Sequence, residues 1–389
     1  MQAWRFDSSK DVDAMITSVT LKNFRGLHDA TIPLTRVTML TGGNGVGKTS
    51  VLEGLYCLFS ETRLDVSPLA RYERTLGRLD VQSLTSRRHG GARGCDYALF
   101  WDECPTFGED SCGVSARSED DTAWSWTCTR AKMAELDDEM LKEAGRTNLA
   151  DSATNLAVFA WERCSGSPNG QPTVERMTKA QIPDADGALY LFPNRTNTMR
   201  SLCTYVDFTA VRSSARRLSF QNARKLTGAL KLINPRITDV RITNADNGLS
   251  VVWDASMEAT LGTVGTGAVG WANTMITILN AIDEFRSTPK ENTPVLVLID
   301  EMGAGIHYGV MGAIWKYFRD FAHELPDTQF VITSHSDDCV GAFCEVFAED
   351  GDAASIVRMH NTYDGELVTT QYTQRTFDNI MKGDWEVRG

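Results

Sequence analysis

The sequence lacks any apolar run long enough to cross a bilayer. Its longest strongly apolar stretch, residues 295–299, falls far short of the roughly 20 residues a membrane helix needs. Residues 1–10 contain no apolar leader core, so neither secretion nor membrane insertion is expected and the expected location is cytoplasmic. A basic surplus is missing too: 39 Lys and Arg stand against 51 Asp and Glu, a formal charge of -12. That balance disfavours a surface built throughout for nucleic acid, while leaving room for a local basic groove. Metal-type cysteine pairs are absent. The 9 cysteines are mostly isolated, and Cys95, Cys104, Cys112 and Cys128 are spaced too widely for zinc and lack a paired histidine, so they read as reduced packing residues. There is no internal repeat, no low-complexity segment and no long heptad stretch, which excludes extended coiled-coil arms.

What is present is a globular composition. With 389 residues, 42% of them hydrophobic, the chain can bury one large core or two smaller ones in two to three domains. Residues 15–40 read as two strands around the turn Asn23-Phe24-Arg25-Gly26, the second ending in Val37-Thr38-Met39-Leu40. A glycine-rich loop and a helical pattern over residues 50–59 follow, half of a βαβ unit. Short strand-like pieces come next, among them Tyr97-Ala98-Leu99-Phe100-Trp101, Ala123-Trp124-Ser125-Trp126-Thr127 and Leu156-Ala157-Val158-Phe159-Ala160-Trp161. They suggest an antiparallel subdomain inserted into the core, with a helix near residues 137–146. Further on, helices are expected over 219–233, 271–285 and 311–323, and buried strands at 295–299 and 330–333. A strand pair is expected after residue 235, and a β-rich tail closes the pattern.

Three motifs carry chemistry. Gly42-Gly43-Asn44-Gly45-Val46-Gly47-Lys48-Thr49, followed by Ser50, fits the phosphate-binding loop G-x-x-x-x-G-K-[ST] and stands between a strand and a helix. Its glycines let backbone N–H groups turn toward phosphates, Lys48 is placed for the β- and γ-phosphates, and Thr49 for Mg²⁺. Val295-Leu296-Val297-Leu298-Ile299-Asp300-Glu301 is a buried-strand pattern ending in two acids. Asp300 suits Mg²⁺ through its water shell and Glu301 suits polarisation of an attacking water. Taken alone, the same run also fits a strand ending in a solvated acidic turn. Phe330-Val331-Ile332-Thr333-Ser334-His335 ends a second buried strand on a histidine, which places His335 at the same sheet edge as a γ-phosphate sensor, the alternative being a structural histidine.

Together these motifs resemble the ABC-type ATPases of the OLD/RecF-like group, relatives of SMC and Rad-type repair heads. Ile16-Thr17-Ser18-Val19-Thr20-Leu21-Lys22-Asn23-Phe24-Arg25-Gly26 is similar to the group's opening strand, and Ile299-Asp300-Glu301-Met302-Gly303-Ala304-Gly305-Ile306-His307-Tyr308 to its Walker B and D-loop. Thr333-Ser334-His335-Ser336 resembles its switch-histidine motif, and Asn234-Pro235-Arg236-Ile237 a segment that precedes the signature loop. By this resemblance Gly265-Thr266-Gly267 takes the place of the signature loop that faces a partner subunit's nucleotide. Its spelling departs from LSGGQ, and a packing turn is the competing reading. The resemblance also calls for a glutamine reaching Mg²⁺, for which Gln82 is the candidate.

The expected fold is an α/β P-loop ATPase of the ABC head type with an inserted antiparallel β-subdomain and a helical segment. The expected division is residues 12–62 and 201–389 as the two lobes of the core and 63–200 as the insert. The resemblance implies ATP and Mg²⁺ as cofactors and a homo-oligomer, at least a dimer, joined through composite ATP sites. After His335 the remaining stretch is short and does not resemble a TOPRIM nuclease. The chain is therefore similar to stand-alone ATPases of bacterial anti-phage systems such as PARIS or Septu, which work with a separate effector, a nuclease or a toxin. A RecF-like DNA-repair ATPase and a nucleotide-dependent scaffold stay open as alternatives. The Arg87-Arg88-His89 cluster and the arginines Arg212, Arg216 and Arg217 can touch a phosphate backbone, though a solvated face is the ordinary reading in an acidic chain.

Overall fold

The computed structural model describes residues 15–59, 111–132, 157–166, 173–180, 202–208, 219–242, 249–254, 257–286, 295–363, 365–374 and 376–377. The expectations for Tyr97 to Trp101, the helix near 137–146, Gln82 and the arginine clusters at 87–88 and 212–217 lie outside them.

The chain opens on the hairpin β1 (Ile16–Phe24) and β2 (Leu27–Pro33), whose turn puts Asn23 and Arg25 at φ 48° and 53°. The second of the two expected strands is therefore a third one, β3 (Val37–Gly42), which leaves the hairpin for another sheet. Helix α1 (Lys48–Phe59) follows the glycine loop. Strands β4 (Ser111–Ser118), β5 (Ala123–Lys132), β6 (Ala157–Gly166) and β7 (Thr173–Ala180) then form a six-stranded antiparallel sheet in the order β2-β1-β4-β5-β6-β7. The later strands thus extend the N-terminal hairpin through the β1–β4 pairing, where Val19 lies opposite Ala116. Along β4 alternate side chains are buried, so one face of this sheet packs inward.

Strand β8 (Leu202–Asp207) begins the return to the core, followed by α2 (Phe220–Ile233), β9 (Ile237–Ile242), β10 (Leu249–Trp253) and β11 (Met257–Thr260). Ser219 caps α2 by accepting from the Asn222 N–H. Instead of a strand pair, β9, β10 and β11 form a three-stranded sheet. Helix α3 (Thr266–Arg286) starts five residues before the expected Trp271, because its first turn contains glycines that obscure the apolar period. Strand β12 (Val295–Asp300), α4 (Tyr308–His323), β13 (Thr328–Thr333), α5 (Asp337–Phe347), β14 (Ala354–Asn361) and β15 (Leu367–Thr373) complete the chain. The tail expected to be β-rich contains α5 as well. Its signals were in the residues: Ser336 accepts from the Cys339 N–H, and Asp337 and Asp338 sit in the first turn.

The second six-stranded sheet runs β15-β14-β3-β13-β12-β8, parallel except for the antiparallel edge strand β15. Every residue of β3, β12 and β13 is buried, as parallel strands covered on both faces require. One face, with Met39, Val297, Ile299, Phe330 and Ile332, packs on α2 to α5 through Trp271, Trp315 and Phe318. The other, with Leu40, Leu296, Leu298 and Val331, packs on α1 and the antiparallel sheet through Leu52, Leu55 and Val114. Helix α1 is thereby held between the two sheets, and buried Gln329 of β13 ties them together, exchanging hydrogen bonds with the backbone of Ile16 at 3.1 and 2.7 Å. The whole is an α/β P-loop fold with an antiparallel β-subdomain. No helix among the described residues is long and apolar enough to cross a membrane.

Candidate nucleotide site

Because β3, β12 and β13 are parallel neighbours, their C-terminal ends lie side by side, and register puts Thr333 beside Leu40 and Ile299 beside Ile332. The P-loop, the acid pair and the histidine motif therefore emerge at one sheet edge, the usual ligand edge of an open α/β sheet.

The loop between β3 and α1 needs its glycines. Gly42, Gly45 and Gly47 have φ of 136°, 82° and 97°. A Cβ on Gly42 would lie 2.1 Å from the Met359 carbonyl oxygen, and one on Gly47 would lie 2.6 Å from Leu27 Cδ2. The loop is thus wedged between β14 and the N-terminal hairpin, with Asn44 and Gly45 exposed at its tip and Val46 packed on the core. Helix α1 makes its first hydrogen bond from the Val51 N–H to the Gly47 carbonyl at 3.0 Å, so the N–H groups of Lys48, Thr49 and Ser50 have no partner of the i−4 kind within the helix. Such a terminus favours an anion.

Lys48 folds over the loop and donates to the carbonyls of Gly42 and Gly43, both at 2.7 Å. Burial lowers its pKa, against the opposing pull of Asp300 and Glu301, whose carboxylates are close enough to favour the ammonium. Thr49 Oγ1 lies 3.2 Å from each carboxylate oxygen of Asp300. Asp300 is fully buried, and its carboxylate also accepts from Thr333 Oγ1 at 2.6 Å and from the Tyr205 hydroxyl at 3.0 Å. Glu301 is only partly buried and stands at φ 57°, a left-handed conformation rare for a non-glycine residue. Its N–H donates to Thr333 Oγ1 at 2.8 Å, so one hydroxyl holds both acidic residues. Thr49 and Asp300 offer hard oxygen donors side by side, the kind of donor set that suits Mg²⁺.

His335 is exposed just beyond β13, after Ser334, whose N–H extends the pairing to the Leu40 carbonyl at 3.2 Å. Gly265, at φ 117°, and Thr266 are exposed where α3 begins, whereas Gly267 is buried. A Cβ on Gly267 would meet the Gly305 carbonyl oxygen at 2.3 Å, so the loop before α3 is pressed against the segment that follows Glu301. The Arg25 guanidinium of the N-terminal turn pairs with Glu53 of α1 at 2.8 Å, fastening the hairpin to the P-loop helix. Cys112 is buried, while Cys95, Cys104 and the side chain of Cys128 lie outside the described residues.

Sequence reasoning gave Tyr205 no role and read Thr333 only as part of the histidine motif. No spacing signal marks either, since each is one of several polar residues in its strand and acquires its partner through strand register.

A family model described as an AAA ATPase domain matches residues 15–125, a stretch that includes the P-loop and α1, and supports ATP binding and hydrolysis. No curated protein matches. Among solved structures the chain is similar to the SMC head domain from Thermotoga maritima, at 12% identity and a TM-score of 0.41, over 92% of this chain and 98% of that one.

Proposed function

We propose that the chain binds and hydrolyses Mg·ATP at this edge and that hydrolysis governs the pairing of ATP-bound copies. The observation that carries the reading is the meeting of Lys48, Thr49 and Asp300 at one point, with Thr49 3.2 Å from the carboxylate. An ammonium has three donors; two go to the Gly42 and Gly43 carbonyls, which leaves the third for a phosphate oxygen. The loop from Gly42 to Ser50 and the start of α1 cradle the phosphates. Thr49 and Asp300 would hold Mg²⁺, which when bound neutralises charge developing on the phosphate oxygens. Glu301 accepts the proton of the attacking water, and His335 contacts the γ-phosphate. The partly exposed, left-handed Glu301 beside buried Asp300 suits this division: one acid is locked in place, the other reaches the solvent from which the water comes.

The second half of each site comes, in this reading, from the Gly265–Gly267 loop of another copy. Support comes from the packing of Gly267 on Gly305, which makes the exposed loop and the chain after Glu301 one continuous surface. The division into two core lobes, 12–62 and 201–389, with an insert at 63–200 belongs to the same proposal, as does the Mg²⁺-reaching role of Gln82. The cellular task proposed is control of a separate effector in anti-phage defence, on the resemblance of the motifs. The net charge of -12 favours it over RecF-like DNA repair, which calls for strong phosphate-backbone binding.

Glu301→Gln tests the proposal. It is expected to bind ATP, to lose roughly 10²–10⁴-fold in turnover, and to accumulate as a larger assembly by light scattering when Mg·ATP is present. Unchanged mass with near-normal turnover would refute both the base and the composite site. Tryptophan at Gly267 cannot probe the trans contact, because the chain's own backbone lies against that position. Gly262→Trp, at an exposed position with open space around its Cβ, does so: undiminished hydrolysis there removes the loop from the site.

A further inference from the structure

Tyr205 stands on β8 opposite Leu298, two residues before Asp300 and on the same face of β12. Its side chain is buried at 1% exposure, and its ring meets Tyr56 of α1 edge-on at 6.0 Å. The phenolic hydroxyl reaches along the strand and donates to Asp300 Oδ2 at 3.0 Å. On the opposite side of β12, the Thr333 hydroxyl donates to Oδ1 at 2.6 Å. The carboxylate is therefore gripped from both neighbouring strands, one oxygen each, and cannot turn about its Cβ–Cγ bond without breaking a hydrogen bond. A fully buried carboxylate needs such donors, because a charge removed from water and left underbonded is costly.

We propose that Tyr205 is a positioning residue for the metal side of the site: its hydroxyl fixes the plane of the Asp300 carboxylate so that both oxygens face Thr49 and the cation held between them. The inference rests on the nucleotide-site reading above. Phenylalanine would serve as well for the packing against Tyr56 and Leu298. The hydroxyl is the feature that packing does not explain, and buried tyrosines keep theirs where it has a partner.

The test is Tyr205→Phe in the full chain, with a fluorescent non-hydrolysable ATP analogue titrated once in EDTA and once in saturating Mg²⁺. In EDTA the variant should bind like the wild type. The gain in affinity that Mg²⁺ confers should fall by roughly tenfold or more, the usual cost of losing a group that orients a metal ligand. With wild-type ATP and Mg²⁺ responses intact, an undiminished gain in Tyr205→Phe overturns the positioning role and leaves the nucleotide site standing. An equal loss in both buffers, accompanied by a lower melting temperature, also overturns it, because that is what a packing residue would give. Wild-type protein that binds no nucleotide, or gains nothing from Mg²⁺, overturns the nucleotide or metal reading itself and this inference with it.

Discussion

The two six-stranded sheets bury themselves in different ways. In the parallel sheet, β3, β12 and β13 are buried residue for residue, and their functional side chains appear only where the strands run out. In the antiparallel sheet, β4 alternates: Cys112, Val114, Ala116 and Ser118 face inward, while Ser111, Ser115 and Arg117 face solvent. A strand covered on both sides has no surface to offer, so its chemistry is confined to its end. A strand covered on one side is a platform, and here the platform holds α1 from behind through Val114, Trp124 and Trp126. The P-loop helix is thus positioned by one sheet and supplied with acids by the other.

The largest effect is expected from removing a group at the C-terminal edge of the parallel sheet. Lys48→Ala should abolish ATP binding in calorimetry, since the loop loses its cation and the phosphates their counter-charge. Retained affinity would mean that the sheet edge does not hold phosphate. Next in size is the contrast between the sheets themselves. Leu298, fully buried in β12, should cost about 2–5 kcal/mol as Leu298→Ala in chemical unfolding, because a cavity opens between β12 and α1. Ser115→Ala on the outer face of β4 should stay within about 0.5 kcal/mol. Similar costs at both positions would show that the antiparallel sheet is buried on both sides in solution. The smallest effect is expected at His335, exposed beyond β13. His335→Ala should leave ATP affinity unchanged and slow single-turnover hydrolysis, and wild-type turnover would return that histidine to a structural role.

Much of this architecture was legible before folding was considered. The P-loop is a local motif whose glycines are required by local backbone angles, so Gly42, Gly45 and Gly47 could be read without knowing any partner. Likewise the runs at 295–299 and 330–333 announce buried strands, because only a doubly covered strand tolerates an unbroken apolar sequence. The places where reading failed are those where signals were short or divided. Helix α5 was hidden in the tail although Ser336, Asp337 and Asp338 mark its start, and α3 begins at Thr266 within a glycine-rich turn. The assignment of β1 and β2 to the same sheet as β4 to β7 had no sequence signal at all, since pairing across so many residues leaves no mark on either strand.

What the residues alone decide about this chain is therefore the set of parts: a phosphate loop, an acid pair at the end of a buried strand, and a histidine after another. Each depends on interactions within a few residues. Only the tertiary structure decides that Thr49 meets Asp300, that Tyr205 and Thr333 grip that carboxylate from both sides, and that Gly267 is closed under Gly305. Those contacts join positions 33 to 251 residues apart, and they arise from strand register and loop packing, which no local pattern encodes.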